Sequence, residues 1–440
     1  MRIHQLRNLF AITRLWLVLA MPALFSALAW SQEYTVTDLG TLGGSSSFVV
    51  AVNNAGQVVG TADVPGDGHS DPFLYFNGTM KDVWPGGTEF GGATVAINDS
   101  GSFVVNYVLS GGDTESYLWN GANWADLGIG GATGMNDSNS VVGYSSQGYW
   151  LFSNSLLDTS PGYSLPLGTL AAAYAINNAG TIVGECGTAI PFSPGQNGCI
   201  FGADVSVALF GADLGGPPDT PYALSSNDET CGSNGVSQFA IWSNTGAETY
   251  ATNIGYAAQC NGLDDYGVAV GNGYPSVDTG LTDGYIYDPV NKLRDLNSLV
   301  HHVFHKGHAL SIQNAQSVSD TGFIAADCLI GNFSTYQLVT HACLLSPNWA
   351  LIIRDSFVAL AKGDPECIQC RTELEPEANS LPSSFTRLTV EEKKKAAATL
   401  ERIESQLVVL RDGDRISEAA AVLLLHDTEM MLQALGHPRG

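Results

Sequence analysis

A ten-residue pattern recurs seven times along this chain, and that repetition limits the folds open to it. The copies are AVNNAGQVVG from Ala51, AINDSGSFVV from Ala96, GMNDSNSVVG from Gly134, AINNAGTIVG from Ala175, ALSSNDETCG from Ala223, GLDDYGVAVG from Gly262 and SVSDTGFIAA from Ser317. Their starts lie 38 to 55 residues apart. Each copy reads as an apolar pair, a turn of Asn, Asp or Ser closed by Gly, and a second apolar run, the pattern of a tight β-hairpin. Asn and Asp tolerate left-handed backbone and bond their own chain, and Gly takes positive φ without strain.

Each hairpin is followed by a variable stretch and a third, often aromatic-rich segment, as in PFLYFNG (72–78), SYLWNG (116–121), GYWLFSN (148–154), QFAIWSN (238–244), DGYIYDP (283–289) and HACLLSP (341–347). A short segment such as ADLG (125–128) then ends the unit. Four short strands per unit of this length is the content of a propeller blade. The expected fold is therefore all-β, a seven-bladed β-propeller over residues 32–350. EYTVTDLG (33–40) has the form of a fourth strand, while the last repeat stops at a third, so the N-terminal strand is expected to complete the last blade. Such closure removes sheet edges that template aggregation. An open β-solenoid is the alternative, although its repeats are usually shorter.

DLGTLGG (38–44), AVNNAGQVVG (51–60), AINNAGTIVG (175–184), DLNSL (295–299) and THACLLSP (340–347) carry a resemblance. Over about residues 34–348 the chain resembles the extracellular repeat proteins named for a His-Ala-Phe tripeptide, the HAF-repeat family. Cys343 stands where that family usually has Phe. The resemblance implies a propeller-like, exported bacterial protein and no established activity. Beyond residue 350 it does not extend.

Composition separates two regions. Residues 32–350 contain four basic side chains, Lys81, Lys292, Arg294 and Lys306, whereas 11 of the 18 lie beyond 350. The net charge of −25 repels polyanions, so no nucleic-acid partner is expected. Residues 1–31 read as a secretory signal peptide: Arg2, Arg7 and Arg14 precede the apolar LWLVLAMPALFSALA (15–29), and Ala27-Leu28-Ala29 suits cleavage. An uncleaved anchor is the other reading. No later run is long and apolar enough to span a membrane, so the mature chain is expected to be secreted, periplasmic or on the cell surface.

Eight cysteines in an exported chain point to disulfides. Cys186 and Cys328 each lie six residues after their turn glycine, and Cys199 and Cys343 each begin a third-strand segment. We therefore expect bridges Cys186–Cys199 and Cys328–Cys343, with Cys231–Cys260 joining the fifth and sixth blades. Cys367 and Cys370 form a CxxC inside a Pro/Glu-rich stretch without a βαβ unit, which points to a local disulfide rather than redox or zinc chemistry.

Candidate metal ligands are few. His301, His305 and His308 have helical spacing in HHVFHKGH, but a solvated loop explains them equally well. Asp63, Asp67 and Asp71 recur every four residues, without the alternating carboxylates and downstream Glu of an EF-hand. Neither group is taken as a metal site, and no cofactor is expected. No nucleophile elbow, phosphate-binding loop or HExxH occurs, so nothing in the sequence requires an enzyme. The sequons at 98–100 and 136–138 coincide with the repeat turn and read as turn chemistry.

Residues 351–388 read as a linker and 389–437 as a helical hairpin. Thr389 and Glu392 have capping-box spacing. Ala396, Leu400, Ile403, Leu407 and Leu410 form an apolar stripe, Gly413 ends the first helix, and Asp414 is placed to cap a second running to about Leu435. The hairpin must bury its stripe on the propeller, the favoured reading, or on a second copy as a homodimer. The function expected is extracytoplasmic binding or scaffolding of a protein or glycan partner, because a propeller presents variable loops on a rigid frame. The rivals are a polysaccharide hydrolase or lyase using channel carboxylates, and a structural envelope protein assembled through its tail.

Overall fold

The structure, a computed structural model, describes residues 33–440 except 67, 84–91, 110–112, 146–147, 154–155, 159–168, 188–196, 202–206, 210–218, 276–280, 301–307, 333–336, 364–373, 383–387 and 437–440. The segment read as a signal peptide, 1–31, lies outside the described residues, as do Cys367 and Cys370.

The strands form four-stranded antiparallel sheets, six of them from four consecutive strands each: 47–82, 92–129, 131–158, 169–209, 220–252 and 258–295. A seventh sheet combines His308–Val318, Ile324–Asn332 and Gln337–Pro347 with Tyr34–Asp38 from the other end of the chain. The first strand of each sheet touches the first strands of both neighbours, and these contacts run in a circle back to Ser47–Val52. Sheets arranged around a ring, each with its first strand innermost, make a β-propeller.

Closure takes the expected form. Tyr34–Asp38 pairs antiparallel with the third strand of the seventh sheet, from Tyr34 opposite Pro347 to Asp38 opposite Cys343. Leu39 N donates to Ala342 O at 3.0 Å and Asn348 N to Glu33 O at 2.7 Å. Asp327 then ties the seventh sheet to the first by accepting from Val49 N at 2.9 Å. Burial pushes that carboxyl up to about 6.

One regularity was not anticipated from the sequence. Every first strand carries a β-bulge just before the ten-residue pattern, at Val50, Val95, Thr133, Tyr174, Tyr222, Asn261 and Gln316. The bulge explains the glycine that ends most copies. A Cβ at Gly60, Gly232 or Gly271 would collide with the backbone carbonyl oxygen of Phe48, Thr220 or Gln259 on the neighbouring strand.

Two disulfides join the expected partners. Cys328 and Cys343 bridge the second and third strands of the seventh sheet diagonally, with Cα atoms 6.0 Å apart. Cys231 and Cys260 join the fifth sheet to the sixth at 5.6 Å. In the fourth sheet Cys186 and Cys199 occupy the same diagonal register as Cys328 and Cys343, and Cys199 is disulfide-bonded; the Cys186 side chain lies outside the described residues.

The helical region departs from the expectation of a linker over 351–388. A helix, α1 (Trp349–Gly363), follows the last strand almost directly and buries Ile353 and Phe357 completely. Ala350, Ile353 and Phe357 have helical spacing, and the Pro and Glu residues downstream masked that signal. A short α2 (Glu375–Asn379) precedes α3 (Val390–Asp412) and α4 (Glu418–Ala434). The capping box is present: Glu392 N donates to Thr389 Oγ1, and Thr389 N to Glu392 Oε2. The apolar stripe is buried and Gly413 caps the C-terminus, as expected. The second cap is corrected. Ser417, not Asp414, accepts from Ala420 N, while Asp414 turns the chain at φ 52°. Leu400, Ile403 and Leu407 pack with Phe357 of α1 and Leu424 and Met431 of α4, and Trp349 and Val290 extend this core to the propeller. The helices thus form a cap on their own propeller.

Candidate functional site

The seven repeat turns converge on one mouth of the ring, so their third and fourth residues decide what that mouth is made of. The turns share one backbone geometry. Their sixth residues, Gly56, Gly101, Asn139, Gly180, Asp228, Gly267 and Gly322, all have positive φ. Asn and Asp therefore take the glycine position in the two copies that lack it, as their tolerance of left-handed backbone allows.

The third residue ties each turn to itself and to its neighbour. Asn136 Oδ1 accepts from Ser138 N and Ser140 N, and its Nδ2 donates to Asn177 O in the next turn. Asn53, Asn98 and Asn177 repeat this arrangement toward Asn98 O, Asn136 O and Ser225 O. Ser225, Asp264 and Ser319 hold their own turns but have no amide to pass on.

The fourth residue builds most of a second ring. Asn54 N donates to Asp99 Oδ1, Asp99 N to Asp137 Oδ1, and Asp137 N to Asn178 Oδ1. Ser226 N then donates to Asp265 Oδ1, Asp265 N to Asp320 Oδ1, and Thr321 N to Asn54 Oδ1. Among the described residues no such bond runs from Asn178 N to Ser226, whose side chain is one atom shorter. The repeated letters are thus a collar of mutually satisfied turns. Both sequons lie in it, with the Asn98 and Asn136 side chains buried and bonded, which agrees with their reading as turn chemistry.

The collar surrounds a cavity of about 210 Å³ floored by aliphatic residues such as Val52, Ile97 and Leu263. Asp99, Asp137, Asp264, Asp265 and Asp320 line it, and no lining residue is basic. Burial raises Asp99, against the opposing pull of the Asn54 amide, and holds Asp264 well above the usual carboxylate range. The mouth disfavours anions. Four of its carboxylates each accept a backbone amide from a neighbouring turn, which makes them structural acceptors rather than a free acid–base pair.

The other candidates have separate fates. Asp63 is spent on Ser45 Oγ, Ser46 N and Ser70 Oγ, and Asp71 pairs with His69 at 3.3 Å; Asp67 lies outside the described residues. His301 and His305 also lie outside them. His308 begins a strand rather than continuing a helix. Among the described residues no group of three or more His, Cys, Asp or Glu is placed to hold a metal ion. None of their helices is long and apolar enough to cross a membrane.

The ring of four-stranded sheets makes this chain a β-propeller protein with a helical cap. No protein-family model matches the sequence, and neither does any curated protein. The fold is similar to a chain of the mitotic checkpoint complex, at 10% identity, 71% of this chain, 93% of that one and a TM-score of 0.41. It is also similar to the β-propeller domain of the Trilobed protease from Pyrococcus furiosus, at 11% identity, 68% and 95% coverage and a TM-score of 0.38. A gluconolactonase from Xanthomonas campestris matches at 10% identity, 73% and 92% coverage and a TM-score of 0.35.

Proposed function

We propose that this is an exported, seven-bladed propeller of the HAF-repeat kind, each four-stranded sheet being one blade, and that it serves as an extracytoplasmic binding or scaffolding module for a protein partner. One observation carries the binding reading: the distribution of exposed apolar side chains. Of nine large apolar side chains at least 40% exposed outside the helices among the described residues, seven, Phe48, Val108, Val236, Tyr256, Tyr274, Leu281 and Leu338, lie toward one end, and Phe76 and Tyr222 do not. Each of the seven lies near the start of a first strand or from the end of a second strand to the start of a third, which places it toward the end of the propeller away from the collar. Exposed apolar residues gathered on one face mark an interaction surface. The mixture of aliphatic and aromatic side chains favours a protein over a glycan.

The test compares the mature chain with a Tyr256→Ser/Leu338→Ser variant and with a collar variant, Asn54→Ser. Chemical cross-linking in an envelope fraction is read for partners that the wild type and the collar variant retain and the surface variant loses. If all three recover the same set, the surface reading fails. A midpoint rise with one polysaccharide in a thermal-shift panel, abolished by the surface variant, replaces the protein partner with a glycan.

A further inference from the structure

The contact between cap and propeller is unusual in its charge. Helices α1 and α4 meet the sixth and seventh sheets around a cavity of about 30 Å³, lined among others by Asp264, Asp288, Arg294 and Asp427. Glu33 stands behind Arg294. Its Oε1 accepts from Arg294 Nη1 at 2.6 Å, and Asp288 Oδ2 accepts from Nη2 at 2.9 Å. Arg294 is thus shared by two carboxylates, while Asp264 and Asp427 have no ion pair among the described residues. Glu33 Oε2 and Arg294 Nε are buried without a hydrogen-bond partner among the described residues. Glu33 and Asp427 are each 2% exposed. Buried carboxylates that outnumber the single guanidinium among them cannot all stay ionised out of water.

We propose that Glu33, Asp264 and Asp427 form a proton-dependent clasp, holding α1 and α4 on the propeller while they carry protons and loosening as they ionise. Burial is the main cause of the shifts: it lifts Glu33 to about 7 against the pull of Arg294, and holds Asp264 and Asp427 well above the usual carboxylate range. The charges of Asp288, Asp264 and Glu33 add to the effect at Asp427. The docked state therefore binds more protons than the undocked one, and docking weakens as pH rises. Glu33 contributes fully below the ordinary carboxylate range, and its contribution is lost as pH rises through about 7. Asp264 and Asp427, raised in the same direction by burial, add to the loss as pH rises.

The remaining groups at this contact are Tyr34 on the closing strand, Asp320 in the seventh turn, Asp355 on α1, and His426 and Glu429 on α4. His426 acts in the opposite sense. Its ring stacks on Tyr266 at 3.5 Å and its Nε2 meets Asp320 O at 2.6 Å, and burial lowers its pKa. It resists charging, so it weakens docking only toward acid. The clasp accordingly loosens as pH rises, through about 7 at Glu33. Asp264 and Asp320 also line the collar cavity, so release of the cap alters one side of that mouth.

Hydrogen exchange on the full mature chain tests this, with rates corrected for the intrinsic pH dependence of exchange. Between pH 6 and pH 9, protection of 418–434 should fall about tenfold or more, while protection of 47–63 in the first sheet stays constant. Asp427→Asn keeps the shape and removes one ionisation, so it should flatten the slope and raise protection at pH 9. Glu33→Gln should do the same below pH 8, and it stands in if Asp427→Asn does not fold. Equal slopes for α4 and the first sheet, or a slope unchanged in the variants, overturn the clasp.

Discussion

The collar and the clasp are both built largely from carboxylates and differ in what surrounds them. In the collar, Asp99, Asp137, Asp265 and Asp320 each receive a backbone N–H from a neighbouring turn, and the arrangement repeats around the ring. In the clasp, one guanidinium serves both Glu33 and Asp288, and Asp427 is buried with no ion pair among the described residues, while Asp264, held by two amides of its own turn, belongs to both regions. Fixed donors turn a buried carboxylate into a rivet, whereas their scarcity makes its retention depend on protons. The ring should accordingly be insensitive to pH over the range in which the cap responds.

Four experiments can break or sharpen this contrast. The largest effect is expected from Gly271→Val, which drives a Cβ into the Gln259 carbonyl and should cost more than about 3 kcal/mol in denaturant unfolding, with loss of the sixth sheet. Replacing Cys231 and Cys260 together by Ser opens a link spanning 29 residues and should lower stability by about 3 kcal/mol. Asn136→Ala removes two bonds within its turn and one to the next, for an expected loss of about 2–3 kcal/mol. A loss no larger than that of the capping variant Thr389→Ala, about 1 kcal/mol, would mean that the collar is decoration on the sheets. The smallest effect is a gain. Ser226→Asn supplies the missing acceptor for Asn178 N and should stabilise by about 0.5–1 kcal/mol in the same assay.

The turns were legible because their chemistry is local. Asn136 bonds amides two and four residues ahead, and the residue at its positive-φ position lies three ahead, so the pattern of letters is the pattern of contacts. The same holds for the Thr389–Glu392 box. The Cys328–Cys343 pair was legible because the repeat puts Cys186 and Cys199 at the same two places, and Cys231–Cys260 followed as the pair left over. The bulges were not, because a bulge is a mismatch between two strands and leaves no composition of its own: Val50, Thr133, Tyr174 and Gln316 share only their place. Helix α1 is hidden for a different reason: its apolar spacing is present, but the Pro- and Glu-rich segment after it gives the whole stretch the composition of a linker.

The sequence by itself determined the repeating hairpin, the closing N-terminal strand, the two disulfide partnerships and the capped helix at 390–412, because each follows from residues a few positions apart or from copies of one unit. Only the tertiary structure decided the rest. Asn54 meets Asp99 across 45 positions, Asp327 meets Val49 across 278, and Glu33 meets Arg294 across 261. Whether such an acid is a rivet or a proton-dependent latch depends on the donors, charges and solvent brought around it by folding, and none of these is written beside it in the chain.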